Sequence, residues 1–187
     1  IETFGGPVPD GYVIDRVELA RSSQRWKSSL GIQTILQGYA GMVPTNFNVY
    51  QPEVATINQG TWSNLSRPSM IATDSETYRE YSELFYEAQE FVFGGNSHYY
   101  AVDPFHEGGK RPEGLSDETI SEKVLDALLE YDADAVWVVQ GWQSNPTNGL
   151  LKGMGDRRED HVLVIDLIKY PLLNWKKYDT LTYGSTN

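Results

Sequence analysis

The sequence predicts an α/β fold in which helices and strands alternate along the chain around a parallel sheet. Residues 134–141 and 161–168 are nearly continuous apolar runs, which is typical of strands that are buried on both faces. Residues 99–102 are aromatic, small or β-branched and predict a third strand. Segments with helical spacing separate these runs, and strict alternation of this kind implies right-handed crossovers within one parallel sheet.

One helix and one strand precede these runs. An amphipathic helix is expected over residues 12–30, with Val13, Val17 and Ala20 on its buried stripe. A glycine ends it, and residues 32–39 then form a short strand. This helix-to-strand step is the one that α/β folds repeat.

A long segment without a clear period follows, over residues 45–69. A stretch of this length without regular structure inside a compact domain is usually a functional loop. Trp62 lies in its middle. A tryptophan in a loop either fills a hydrophobic gap or stacks on a ligand, and the sequence leaves both roles open.

The second helix is predicted to begin at a capping box formed by Thr73 and Glu76. Its expected core face repeats at helical spacing and consists of Tyr78, Tyr81, Phe85, Ala88 and Val92. Two glycines then end the helix.

The third helix is predicted to begin after Ser116, which can cap it. Its expected buried face consists of Ile120, Val124, Leu128 and Tyr131. A shorter, glycine-broken helix is expected over residues 148–155. The remainder of the chain beyond the strand at residues 161–168, with Trp175 and Tyr178, is expected to contain no core strand.

The stretch over residues 98–109, HYYAVDPFHEGG, organises the predicted site. Its strand ends at Asp103 and Pro104, because proline has no N–H to donate and restricts the residue before it. The carboxylate of Glu107 follows, and two glycines let the backbone turn behind it. Barrel enzymes present an acid or a base in this way at the carboxyl-end rim. The alternative is a turn whose glutamate is only solvated, and these residues alone do not decide between the two.

A (β/α)8 barrel of the TIM type fits this order of elements best. No G-x-G-x-x-G or Walker motif follows a strand, so a nucleotide-binding sheet lacks its signature. Such barrels typically take about 250 residues, whereas about four strands are visible in these 187 residues. We therefore expect residues 1–187 to be part of a single catalytic (β/α)8 barrel domain, with about four β/α units and incomplete at both ends.

Composition and charge exclude several classes of partner. The formal net charge is −11 and no run of lysine and arginine exceeds a pair. Nucleic acid is therefore not expected as a partner, because phosphate binding needs a basic face. No apolar run approaches the roughly 20 residues of a membrane span. Some of the twelve tyrosines and five tryptophans are expected to be core residues, but an aromatic excess in an acidic chain is also typical of a sugar-binding cleft.

Six segments at or near the predicted strand ends resemble glycoside hydrolase family 89, the α-N-acetylglucosaminidases. They are FGGPVP, LGIQTILQGYAGMVP, GTW, YAVDPFHEGG, AVWVVQGW and HVLVIDL, in this order and spacing. DPFHEGG and AVWVVQGW are the most specific, because each places polar and aromatic groups at a strand end. The HEGG form is similar to the bacterial branch, which implies a secreted or cell-surface bacterial enzyme.

The resemblance implies an exo-acting hydrolase that releases terminal α-linked N-acetylglucosamine with retention of configuration, using two carboxylates and neither cofactor nor metal. Glu107 matches the general acid/base. His106, Trp62 and Trp142 match residues that line the subsite for the terminal sugar. The nucleophile is implied to lie on a later strand, so these residues alone are expected to be inactive and to need the remainder of the barrel. Asp166 matches a different motif position and is expected to be structural.

The residue types themselves leave two other functions possible. His98, Asp103, His106 and Glu107 are of types that ligate zinc and would make a metal-dependent hydrolase, although their spacing is not a helical H-E-x-x-H. A non-catalytic glycan-binding module would carry the aromatic residues without an acid pair. The aglycone is open as well, since mucin-type and heparan-type glycans both fit the family, and the acidic balance favours a neutral glycan.

Overall fold

The computed structural model describes residues 8–95, 97–105, 109–142, 144–167 and 181–183. A five-stranded parallel sheet forms its centre. The strands of this sheet are, in spatial order, β1 (Ile35–Gln37), β7 (Tyr99–Ala101), β8 (Val136–Gly141), β9 (Val162–Asp166) and β10 (Leu181–Tyr183). Each strand pairs with the next sheet strand along the chain, which is the order of a barrel, whereas a doubly wound sheet reverses direction in its middle. The predicted α/β class and barrel order are confirmed.

The predicted number of about four strands is too low. β10 pairs in parallel with β9, with Leu181 opposite Leu163, in the part of the chain for which no core strand was expected. Its three residues, Leu-Thr-Tyr, contain no continuous apolar run. A strand this short therefore gives no periodic signal in the sequence. Among the described residues, β1 and β10 are the two edges of the sheet.

Helices cover the sheet and connect its strands. Their bounds are α1 (Asp10–Ser29), α2 (Phe47–Tyr50), α3 (Glu76–Phe93), α4 (Asp117–Tyr131), α5 (Asn148–Met154) and α6 (Arg158–His161), with a 3-10 turn at Gly155–Arg157. None of the helices in the described part of the chain is long and apolar enough to cross a membrane.

α4 forms as predicted. The hydroxyl of Ser116 accepts a hydrogen bond from the backbone N–H of Thr119 and so caps the helix. Ile120, Val124 and Leu128 are fully buried and pack into the main hydrophobic core with the β8 residue Trp137. The indole N–H of Trp137 donates to the carbonyl of Val102 at 2.9 Å, which satisfies the one polar group of that buried side chain.

α3 forms where expected, but its cap and part of its buried face differ from the prediction. The cap is Ser75, whose hydroxyl accepts from the N–H of Tyr78 at 3.1 Å, because Ser75 directly precedes the first helical residue. Thr73 lies two residues further out, with its side chain buried. The buried residues are Tyr78, Ser82 and Tyr86. Tyr78 was predicted, and the predicted residues Tyr81 and Phe85 are partly buried against the core, whereas the predicted core residue Ala88 is exposed.

α1 also forms where expected, but its predicted buried stripe is wrong. No α1 residue is buried, and Val13 is 53% exposed. Val13, Val17 and Ala20 do stand at i, i+4 and i+7, but the other apolar residues of α1 lie on different sides of the helix, so the apolar residues together make no single face. Its contacts run to α3, where the guanidinium of Arg21 donates to the carbonyl oxygens of Phe91 and Val92.

The segment between β1 and α3 contains regular structure, contrary to the prediction for residues 45–69. Its strands are β2 (Met42–Val43), β3 (Thr56–Ile57), β4 (Thr61–Trp62), β5 (Leu65–Ser66) and β6 (Ser69–Ile71). β6 pairs antiparallel with both β2 and β3, and β4 forms a hairpin with β5. Strands of two or three residues are set by tertiary pairing, so no period could reveal them.

Candidate functional site

The candidate site lies where the parallel strands end. Because carboxyl ends of parallel strands meet at one edge, the segments that follow β1, β7 and β8 all leave the sheet on the same side. Ala101 of β7 lies opposite Val138 of β8. The segments that carry the two predicted motifs therefore leave the sheet from neighbouring strands.

His106 and Glu107 fall outside the described residues, whereas the residues on either side of them are described. Phe105 is partly buried against the hydrophobic core. A Cβ placed on Gly109 would lie 3.6 Å from the Cα of Phe105 and 3.0 Å from the side-chain oxygen of Gln59. Gln59 is itself buried and comes from the segment between β1 and α3. The residues that flank the predicted acid/base therefore contact each other and that long segment.

Trp62 lies on the β4–β5 hairpin, opposite Leu65. The hairpin turns through Ser63 and Asn64, whose φ angles are 48° and 66°, as two-residue hairpin loops require. The Trp62 side chain is 51% exposed, so it fills no gap in the core. A Cβ on Gly60, just before β4, would lie 3.6 Å from the side chain of Lys110. The hairpin that carries Trp62 thus begins beside the segment that follows β7, and its role in sugar binding stays a prediction.

Trp142 directly follows β8 in a tightly held turn. Its backbone N–H donates to the carbonyl of Asn145 at 3.2 Å, and the N–H of Asn145 donates back at 2.9 Å. The side-chain amide of Asn145 also donates to the carbonyl of Gln140 at 2.7 Å. This turn fixes the backbone of Trp142 relative to the end of β8. The predicted contact of Trp142 with a sugar is not tested by these bonds.

Asp166 lies at the end of β9, with its backbone opposite Gly141. The next residue, Leu167, donates its N–H to the carbonyl of Gly141 at 3.0 Å, which continues the parallel pairing toward the rim. The expected structural role of Asp166 stays a prediction.

Three polar residues at this edge carried no functional signal in the sequence. Arg111, in the segment after β7, donates two hydrogen bonds to the carboxylate of Asp117. Thr147, the cap of α5, donates its hydroxyl to the same carboxylate at 2.6 Å. The predicted start of α4 placed Asp117 in the first helical turn, but nothing local indicated that residues 111 and 147 would reach it.

Two opposing effects determine the pKa of Asp117. Burial raises the pKa of this carboxyl, because the charged form loses solvation. The hydrogen bonds from Arg111 and Thr147 and the positive charge of Arg111 favour the charged form and outweigh burial, so the net effect lowers the pKa. Asp117 is therefore ionised, and it acts at this edge as a hydrogen-bond acceptor only.

Of the four residues named for a metal site, His98 and Asp103 cannot share one ion, and His106 and Glu107 lie outside the described residues. His98 precedes β7 and Asp103 follows it, so the two lie about 16 Å apart at the usual rise per strand residue. The imidazole Nδ1 of His98 instead lies 2.9 Å from a carboxylate oxygen of Asp132. That carboxylate also accepts from the hydroxyl of Tyr100 and from the backbone N–H of Asp134. This cluster, at the opposite end of β7, stabilises the turn between α4 and β8.

A groove of about 780 Å³ lies away from the rim. It runs between the outer faces of α3 and α4 and is lined by Glu76, Arg79, Glu80, Glu83, Glu87, Ala127, Glu130 and Tyr131. Arg79 is paired with Glu130 at 2.9 Å. The groove is strongly acidic and contains none of the predicted site residues.

A parallel sheet wound in one direction, with the strand-end motifs gathered at its carboxyl edge, defines part of a (β/α) barrel of the enzyme type. The family model of the alpha-N-acetylglucosaminidase (NAGLU) TIM-barrel domain matches residues 1–184. The chain therefore belongs to this family, and the resemblance to glycoside hydrolase family 89 is confirmed.

Solved structures of a family 89 glycoside hydrolase from Clostridium perfringens are 40% identical to the chain. The complexes with 2-acetamido-1,2-dideoxynojirimycin and with PUGNAc superpose with TM-scores of 0.81 and 0.82, and each match covers 88% of this chain and 19% of the other. Human alpha-N-acetylglucosaminidase is 27% identical over 149 residues, which is 76% of this chain and 20% of the human protein. The chain thus spans about a fifth of the length of these relatives.

Proposed function

We propose that residues 1–187 are part of the catalytic barrel of an exo-acting glycoside hydrolase that releases terminal α-linked N-acetylglucosamine with retention of configuration. The observation that carries the proposal is the position of the DPFHEGG motif. It follows β7, which lies between β1 and β8 in the sheet, and so it stands among the carboxyl-end segments of a chain that belongs to this family. In barrel enzymes, catalytic side chains come from these positions.

The relatives support both the substrate class and the use of two carboxylates. One Clostridium perfringens structure is a variant with two Glu→Gln substitutions in complex with its substrate, GlcNAc-α-1,4-galactose. Retaining glycosidases use one protonated carboxylic acid and one ionised nucleophile, whose carboxyl groups lie about 5 to 5.5 Å apart. We assign the first role to Glu107 and place the nucleophile on a later strand of the barrel, outside residues 1–187.

Glu107 acts twice in this mechanism. It first protonates the departing glycosidic oxygen while the nucleophile attacks the anomeric carbon, which gives a covalent glycosyl-enzyme. As a carboxylate, it then removes a proton from the water that hydrolyses this intermediate. Both steps need the carboxyl group at one fixed place on the leaving-group side of the sugar.

The subsite for the terminal sugar is proposed to include His106, Trp62 and Trp142. An indole ring packs on the apolar face of a pyranose, and an imidazole can donate to a ring hydroxyl. The exposed position of Trp62 and the held backbone of Trp142 both suit such contacts. The glycan is then the partner of this site, and the mechanism requires no cofactor.

Replacing Glu107 by alanine in the full-length protein tests the proposal. Turnover of GlcNAc-α-1,4-galactose should nearly stop, because its leaving alcohol needs a proton. A 4-nitrophenyl α-glycoside should still form the glycosyl-enzyme, which then accumulates because no base activates water. Azide needs no deprotonation, so it should restore turnover and give the α-glycosyl azide, identified by NMR.

Glu113→Ala is the matched control, since Glu113 is an exposed glutamate of the same segment and its loss should leave both substrates unaffected. Formation of the β-azide, or no rescue by azide, would contradict the assignment of Glu107. Tight binding of the disaccharide by the wild-type protein without any turnover would indicate a glycan-binding module instead.

A further inference from the structure

Asp117 is the point at which two rim segments and two helices meet. It is the first residue of α4, and its side chain is 17% exposed. The Arg111 guanidinium binds it from the segment after β7, with Nη2 at 3.1 Å from Oδ2. The Thr147 hydroxyl binds the same Oδ2 from the segment after β8. One carboxylate therefore accepts hydrogen bonds from both segments that carry the proposed catalytic and sugar-binding residues.

Arg111 extends this junction toward the predicted acid/base. Its guanidinium carbon lies 5.0 Å from the centre of the Phe105 ring, within the range of a cation–π contact. Phe105 directly precedes residues 106–108, and Arg111 follows them by three positions. Asp117 orients the guanidinium, which in turn packs on the residue next to the predicted catalytic pair. Since Phe105 also packs against the core, this side of the segment is fixed to the body of the barrel.

Thr147 extends the junction toward Trp142. Its hydroxyl also accepts from the N–H of Leu150 at 3.2 Å and so caps α5. A Cβ on Gly149 would lie 2.8 Å from the Cβ of Asp117. The start of α5 therefore rests directly on Asp117. The start of α5, which follows the turn at Trp142, cannot shift without moving that side chain.

We propose that Asp117 is a positioning residue that holds the segment of Glu107 and the segment of Trp142 in a fixed relation at the rim. This inference rests on the proposed function, because it assigns to Asp117 the alignment of that same acid/base. The contacts of Asp117 are with Arg111 and Thr147. Its effect passes through Arg111 and Phe105 on one side and through Thr147 on the other. General acid catalysis requires the proton donor within hydrogen-bond reach of the leaving oxygen, so a small displacement is costly.

Substrates with different leaving groups separate this role from a structural one. In Asp117→Asn the side chain keeps its size but loses its charge, and its amide nitrogen cannot accept from Arg111 or Thr147. In the full-length protein, kcat/KM for GlcNAc-α-1,4-galactose should fall about 100-fold, as for a misaligned catalytic group. For the 4-nitrophenyl glycoside kcat/KM should fall less than about tenfold, because that leaving group needs little acid assistance.

The matched control is Asp126→Asn in the same helix. Asp126 is paired with Lys123 and Arg157, so its replacement also breaks ion pairs of α4. It should leave the ratio of the two kcat/KM values at the wild-type value. A second pair of variants covers a failure of Asp117→Asn to fold. Thr147→Ser keeps the hydroxyl and should keep the wild-type ratio, whereas Thr147→Val keeps the shape without it and should shift the ratio as Asp117→Asn does.

An equal loss for both substrates, or no loss for either, would show that Asp117 is only structural and would overturn the proposal. The Glu107→Ala variant tells the two failures apart. If it is inactive on the disaccharide while Asp117→Asn and Thr147→Val behave as wild type, only the positioning role is wrong. If Glu107→Ala hydrolyses the disaccharide normally, the proposed function is wrong and the positioning role is overturned with it.

Discussion

α1 and α4 are helices of the same molecule with opposite relations to the sheet. α4 buries six residues, including Ile120, Val124 and Leu128, against the core. α1 buries none, although it is five residues longer and is rich in apolar residues. Five of its apolar side chains are more than half exposed, namely Tyr12, Val13, Ile14, Leu19 and Trp26. The number of apolar residues in a helix therefore does not determine how much it buries.

Spacing and position in the sheet explain the difference. The apolar residues of α4 repeat every four positions and form one stripe, whereas those of α1 are distributed around the helix. α4 connects β7 to β8, which are both inner strands of the sheet, whereas α1 precedes β1, an edge strand among the described residues. A helix that packs over inner strands is surrounded by other elements, so its apolar stripe is covered on all sides. α1 contacts mainly α3.

The largest difference between the two helices should appear in a matched pair of leucine replacements. Leu128→Ala removes a fully buried side chain of α4 and should lower the free energy of unfolding by about 2 to 5 kcal/mol. Leu19→Ala removes a side chain of α1 that is 55% exposed. It should change the free energy of unfolding by no more than about 0.5 kcal/mol. Urea unfolding of the full-length protein measures both values.

An equal loss of unfolding free energy in the two variants would show that α1 packs as closely as α4. If the cost of Leu19→Ala also rose with protein concentration, a second copy of the chain would be covering α1.

A pair of glycine replacements should give a smaller effect with opposite signs. Gly153 of α5 packs on α4 so closely that a Cβ would collide with the carbonyl oxygen of Glu118. Gly153→Ala should therefore destabilise the fold by about 1 to 3 kcal/mol through overpacking. Gly11 of α1 has no atom within 4 Å of a Cβ placed there, so Gly11→Ala should stabilise by up to about 1 kcal/mol. Thermal unfolding of the two variants gives the signs, and a loss of stability in Gly11→Ala would show that α1 is packed on that side.

The smallest expected effect is a difference between α4 and α1 in how their contributions to stability depend on pH. The lowered pKa of Asp117 means that its ionised form stabilises the native state above the ordinary value of 3.8. That contribution is lost as the pH falls through the lowered native pKa. It should remain below about 1 kcal/mol, because Arg111 is 46% exposed to solvent. α1 is attached through Arg21 to carbonyl oxygens, which do not titrate.

Urea unfolding between about pH 2 and pH 6 checks this prediction. The acid loss of stability should be smaller in Asp117→Asn than in the wild type, and Arg21→Met should shift stability equally at every pH. An unchanged acid loss in Asp117→Asn would assign the effect to other carboxylates.

The sequence predicted the inner part of the fold well because its elements carry local signals. Continuous apolar runs marked β8 and β9, and the cap at Ser116 with its four-residue repeat marked α4. The position of α3 and its core residues Tyr78, Tyr81 and Phe85 were also predicted, but the buried Tyr86 was not. Tyr86 lies in the core, where its hydroxyl accepts a hydrogen bond from the backbone N–H of Tyr39 at 3.0 Å. Such a contact depends on which residue lies opposite, and no period encodes that.

The candidate site was predictable only in part for the same reason. The DPFHEGG and AVWVVQGW motifs placed candidates at two strand ends, and the register of β7 with β8 brings these ends together. The junction at Asp117 joins residues that are 6 and 30 positions away from it in sequence. Hydrogen bonds across such separations follow from tertiary packing of α4 and α5, for which the sequence offers no local pattern.

The order of the strands also has a consequence for how the chain acquires its structure during synthesis. Every strand of the five-stranded sheet after β1 pairs with one made before it, so each new β/α unit can add to an existing edge. The loops closed by these pairings become shorter along the chain, from Ile35 with Tyr99 to Leu163 with Leu181. Closing the long first loop costs the most chain entropy. We therefore expect the docking of β1 on β7 to be the slow step, because the segment that shapes the rim must first be arranged between them.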